Sequence, residues 1–69
     1  PSKASKREVI LEYIAKTYFE KDRVYSETDV NSILRGFYED NCTLRRDLVD
    51  AGYLSRTKNA SEYLKTDKA

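Results

Sequence analysis

The sequence predicts an α+β domain, mainly helical, on three observations. Apolar residues recur at helical spacing in three successive segments, a glycine stands where the third segment stops, and an alternation of period two follows it. Read in order, the segments are helix, short strand, helix, helix, strand, strand. At 69 residues the chain makes one domain. A chain of this length buries roughly 60% of its unfolded surface, so its core is thin.

The first helix is expected from Lys6 to about Glu20, behind a flexible polar lead-in at residues 1–5. Ser5 is placed to cap it, with Glu8 three residues on to complete a capping box. Ile10, Ile14 and Tyr18 step by four along one face, with Leu11 beside them. Lys21 to Arg23 read as a charged turn, and Val24-Tyr25 as one minor strand. Ser26 then opens the second helix, because Asp29 can reach back to its amide and Glu27 suits the first turn. Val30, Ile33, Leu34 and Phe37 give that helix a stripe at i, i+3, i+4 and i+7. Glu39-Asp40 marks the break.

The third helix is expected to start near Asn41 to Thr43 and to run to about Ala51, where Gly52 supplies the left-handed residue that ends it. Residues 53–56 and 61–64 then alternate as two strands. Residues 57–60 form the turn between them, with Asn59 as its positive-φ residue. The domain is expected over residues 6–64, with a flexible tail at 65–69. Two helices joined by a tight break and followed by a hairpin is the layout of a winged helix-turn-helix, the hairpin being the wing.

The stretch from Tyr25 to Leu64 resembles an uncharacterised bacterial domain family found attached to helix-turn-helix transcriptional regulators. Tyr25, Ser26, Glu27, Val30, Asn31 and Leu34 match its opening. Thr43, Leu44, Arg45, Arg46, Leu48, Val49, Gly52, Leu54 and Arg56 match the run that follows its acidic break. The family commonly closes its hairpin with a glycine followed by an aromatic. Here Ala60 replaces the glycine and Tyr63 keeps the aromatic. The resemblance implies association with a transcriptional regulator and brings no ligand or catalytic residue.

Composition excludes several functions. There is no histidine and a single cysteine, Cys42. The chain therefore has no internal disulfide, no usual zinc ligand set and no Ser-His or Cys-His couple. The scatter of Glu39, Asp40, Asp47 and Asp50 fits no EF-hand spacing. No apolar run approaches the ~18 residues of a membrane span. We therefore expect no enzyme, no cofactor, no small-molecule ligand and no membrane partner, in a reduced, cytoplasmic setting. The chain begins at Pro1 and contains no Met, as expected of a processed protein or a piece of a longer one. Cys42 is expected to be an inert, partly buried thiol.

The adjacent arginines of the third helix have different expected roles. On a wheel anchored at Leu44, Arg45 falls at about 100°, at the edge of the buried face, and Arg46 at about 200°, pointing out. Arg45 is therefore expected to be structural, with its stem on the core and its guanidinium on a carboxylate, Glu27 or Glu39. Arg46 and Thr43 are candidate helix contacts to double-stranded DNA, Arg56 and Lys58 candidate wing contacts, and Lys3, Lys6 and Arg7 candidate phosphate contacts.

Charge weighs against strong binding. Residues 1–23 sum to +2, residues 24–52 to −3 and residues 53–69 to +2, and Asp47 and Asp50 are expected to share the exposed helix face with Arg46. An independent DNA binder usually shows a basic stripe on its reading element. The alternative is a protein-interaction module that binds another domain of the same regulator or a second copy. The acidic face of the third helix, or an aromatic patch of Tyr13, Phe19 and Tyr38, is its candidate surface. Tyr18, Tyr53 and Tyr63 are expected in or at the edge of the core.

Overall fold

The computed structural model describes residues 3–37 and 39–68. Helix α1 spans Lys3–Tyr18, strand β1 Val24–Tyr25, helix α2 Glu27–Leu34, helix α3 Asn41–Asp50, strand β2 Leu54–Arg56 and strand β3 Tyr63–Lys65. The three strands form one antiparallel sheet in the order β1-β3-β2. The fold is thus α+β, about half helical, in the element order the sequence predicts. Its arrangement is consistent with a winged helix.

Helix α1 begins at Lys3, so Ser5 lies within it and is not its cap; Pro1 and Ser2 are outside the described residues. Alanine, lysine and arginine are good helix formers, which carries the helix upstream of the expected start. The helix closes at Tyr18, two residues short of the expected end. Its buried residues are Leu11, Ile14 and Ala15, with Phe19 just beyond. The stripe read from sequence as Ile10, Ile14 and Tyr18 is therefore rotated. The buried Leu11, Ala15 and Phe19 each stand one position on from Ile10, Ile14 and Tyr18, about 100° further around the helix, and only Ile14 is common to the two sets. Ile10 and Tyr18 are half exposed, and Phe19, expected in a surface patch, is buried.

The turn after α1 is held by polar contacts. Asp22 adopts φ 64°, Arg23 pairs with Glu20 at 3.1 Å, and the Glu20 amide donates to the Tyr25 hydroxyl at 2.7 Å. Ser26 caps α2 as expected: its hydroxyl accepts from the Asp29 amide at 3.0 Å, and the Asp29 carboxylate accepts from the Ser26 amide at 3.1 Å. Val30 and Leu34 are buried, while Ile33 and Phe37 pack against the core, Phe37 from the turn past the helix end. Asp40 starts α3 by accepting from the Thr43 amide at 3.2 Å, so the acidic break is itself a helix cap.

Gly52 ends α3 at φ 88°. Its amide donates to the Val49 carbonyl at 3.0 Å and the Tyr53 amide to the Leu48 carbonyl at 2.9 Å, the two bonds of a Schellman motif. The hairpin pairs Ser55 with Leu64, whereas a turn confined to residues 57–60 would set Ser55 against Glu62; β3 starts at Tyr63 and leaves six loop residues, 57–62. The left-handed residue is Ala60, at φ 57°, and not Asn59. The Asn59 amide oxygen instead accepts from the Ser61 amide and hydroxyl, at 3.2 and 2.7 Å, organising the loop by its side chain.

Val24 and Tyr25 pair with Leu64 and Tyr63, so β1 docks on β3 and closes the sheet against the helices. Tyr25, Tyr53, Leu54 and Tyr63 enter the core with Leu44 and Leu48 of α3. Past Leu64, where a free tail is expected, Lys65 completes β3. The Thr66 amide donates to Tyr53 at 3.0 Å, and Lys68 reaches Glu8 at 3.2 Å and lies 4.7 Å from the centre of the Tyr53 ring.

Candidate functional site

Helix α3 and the β2–β3 loop wall a cleft of about 560 Å3, lined among others by Glu27, Thr43, Arg45, Arg46, Asp50 and Arg56. The helix period sets one wall. Leu44 and Leu48 anchor α3 in the core, which turns Thr43, Arg46 and Asp50 to solvent. The loop sets the other wall: Arg56, at the end of β2, donates from Nη1 to the carbonyls of Thr57 and Lys58 at 3.2 and 3.3 Å, which holds its side chain along the loop.

Each candidate residue has a definite place. Thr43 hydrogen-bonds its own cap, Asp40, through Oγ1 at 3.2 Å. Arg46 is 83% exposed, with Nε 4.0 Å from Asp50, a contact that constrains it little. Lys58 is exposed in the loop, outside the cleft lining. Lys6 is exposed on α1, away from the cleft. Lys3 lies in α1, and its side chain is outside the described residues.

Arg7 corrects the sequence reading most. Its Nη1 donates to Glu39, while Nη2 and Nε both donate to Asp47, the latter at 3.2 Å. One guanidinium thus ties α1 to the α2–α3 break and to α3. Hydrogen bonding to Glu39, then to Asp47, raises its pKa above the ordinary arginine value. Arg7, expected as a phosphate contact, is engaged within the fold as a clamp and lies outside the cleft lining.

The same clamp changes the charge of α3. Asp47, expected beside Arg46 on the open face, turns toward α1 and is neutralised there. The cleft is left with three guanidiniums against two carboxylates, an excess of one positive charge. The segment sum of −3 therefore misstates the local field, because Arg7 from the preceding segment bridges two of its acidic residues and offsets one unit of their charge.

Arg45, expected to rest its guanidinium on a carboxylate, has a different partner. Its Nη1 donates to the Asn31 side-chain oxygen of α2, and not to Glu27 or Glu39. Glu39 belongs to Arg7, and Glu27 is exposed at the cleft. A neutral amide does not cancel the guanidinium, so Arg45 braces two helices and still contributes charge to the cleft. That role was hidden in sequence because Arg45 and Asn31 are 14 residues apart on different helices. Cys42, expected partly buried, is exposed in the first turn of α3.

Among the described residues no cluster of acidic or cysteine side chains is arranged to hold a metal ion, and no helix is long and apolar enough to cross a membrane. Comparison with curated proteins and with solved structures found no match. A family model does match, over residues 1–65. The chain belongs to DUF2087, a family described as an uncharacterized protein conserved in bacteria.

Proposed function

We propose that this chain is a non-enzymatic winged-helix module of a bacterial transcriptional regulator, working in the cytoplasm, which contacts double-stranded DNA through α3 and the hairpin. One observation carries the reading: Arg45, Arg46 and Arg56 converge on the α3–hairpin cleft while Arg7 withdraws Asp47 from it. A helix and a hairpin loop that present guanidiniums from both walls can contact the phosphates of a duplex. The contacts are mainly to phosphate, since of the exposed helix residues Thr43, Arg46 and Asp50 the carboxylate is repelled by the duplex and two side chains are left to reach bases. Affinity is therefore salt-sensitive, and sequence preference is modest.

A second reading is an interaction module that binds a protein through the same cleft. Glu27 and Asp50 favour it, since two carboxylates in the cleft repel a phosphate backbone. Fluorescence anisotropy with a labelled random duplex at about 20 and 150 mM salt separates the two. The DNA reading expects binding at low salt that weakens at high salt, and a further loss of about tenfold in the double variant Arg46→Ala/Arg56→Ala. No binding at low salt, or an unaltered double variant, would favour the protein partner.

A further inference from the structure

Helix α3 and strand β2, which lead into the two walls of the cleft, join at Ala51, Gly52 and Tyr53. Gly52 is left-handed there, so the chain turns sharply, and carbonyls past the last helical turn have no partner within a helix. The carbonyls of these three residues accept from residues 66–68 instead. The Thr66 amide donates to the Tyr53 carbonyl at 3.0 Å, which continues the β2–β3 ladder by one bond. The Thr66 hydroxyl donates to the Gly52 carbonyl at 2.6 Å. Lys68 Nζ donates to the Ala51 carbonyl at 2.5 Å.

Local bonds aim these donors. The Lys68 amide donates to the Thr66 hydroxyl at 3.2 Å, a turn that brings the lysine back toward the end of α3. Its ammonium meets the Ala51 carbonyl, the Glu8 carboxylate of α1 at 3.2 Å and the Tyr53 ring at 4.7 Å from the centre. A cation at a helix C-terminus also meets the negative end of the helix dipole. Asp67 pairs with Lys21 at 3.1 Å, but both side chains are largely exposed, so that pair holds little.

From this convergence we infer that residues 66–68 are a strap that locks the hinge between α3 and β2, and that its release lets the walls of the cleft move against each other. Without the strap the hinge keeps its Schellman pair, from Gly52 to Val49 and from Tyr53 to Leu48. Leu48 and Leu54 are buried on either side, so release loosens the hinge and leaves the core in place. Lys68 is the pin, since one ammonium joins the hinge to α1. The inference does not depend on what the cleft binds.

Backbone order parameters from NMR relaxation test the hinge. Thr66→Val removes the hydroxyl, and Lys68→Met removes the ammonium while keeping most of its stem. In the double variant the order parameters of residues 51–53 are expected to fall from about 0.85 to below about 0.7, with those of α2 unchanged. Each single variant is expected to fall part of the way, and Lys68→Arg, which keeps a cationic donor, to stay near the wild type. Nitroxides on the native Cys42, exposed in α3, and on Lys58→Cys in the hairpin loop read the walls. Their distance distribution is expected to broaden in the double variant. Order parameters at 51–53 that keep the wild-type level overturn the inference, as does a loss shared by α2 or a distance distribution that does not broaden.

Discussion

Arg7 and Ala60 show how much one residue can decide in a domain of this size. Arg7 holds two carboxylates that approach from the α2–α3 break and from α3, so removing it leaves Glu39 and Asp47 near each other without a cation. Arg7→Leu is expected to lower stability by about 1–2 kcal/mol, against a change within about 0.5 kcal/mol for Lys6→Leu one position away. Urea denaturation midpoints check the contrast, and equal losses would remove the clamp from the account. Ala60 carries a Cβ in the left-handed region, where L-residues are strained, and it stands where the resembling family keeps glycine. Ala60→Gly is expected to raise stability by about 0.5 kcal/mol, the relieved strain exceeding the added freedom of the unfolded chain. A fall in the thermal midpoint would show that Ala60 is unstrained. Gly52 is the converse case: at φ 88° an alanine is expected to cost about 1–2 kcal/mol by the same measurement.

Elements differ in how legible they are in sequence. Helix α2 reads well because both its cap and its stripe are local: Ser26 and Asp29 are three residues apart, and Val30 and Leu34 four. Helix α3 starts at Asn41 and ends before Gly52, as the sequence predicts, yet Asp40 reads only as a break, since an aspartate beside a glutamate looks like loop before it looks like a cap. Asp40→Ala is expected to cost about 1 kcal/mol and to fray the first turn of α3, which amide hydrogen exchange at Thr43 and Leu44 reports. Helix α1 is apolar on nearly every side, so periodicity alone could not choose its inner face. Tertiary packing chose the stripe through Leu11, and Ile10 was left outside. The hairpin was placed correctly, but side-chain bonds from Asn59 and Thr57 lengthened its loop beyond what alternation shows.

At the scale of the molecule, the least legible features are contacts between residues far apart in the chain. Arg7 meets Asp47 across 40 positions and Lys68 meets Glu8 across 60. No local pattern announces either. The first sets the charge of the cleft, and the second fastens the last turn of the chain to α1 and to the C-terminal end of α3. The radius of gyration, 11.2 Å, is close to the ~11 Å of a folded domain of this length, as expected if the described residues close on one core. That core positions α3 and the hairpin loop side by side, so the cleft is a property of the whole fold and not of either wall.

The central claim is that this cleft meets nucleic acid. The most direct test is to follow backbone amide shifts while titrating a duplex, at low and then at physiological salt. The account predicts shifts concentrated at residues 43–47 and 56–60 that shrink as salt rises, with Arg7 and its partner Glu39 unmoved. Silence at low salt, or shifts spread over α1 instead, would contradict it.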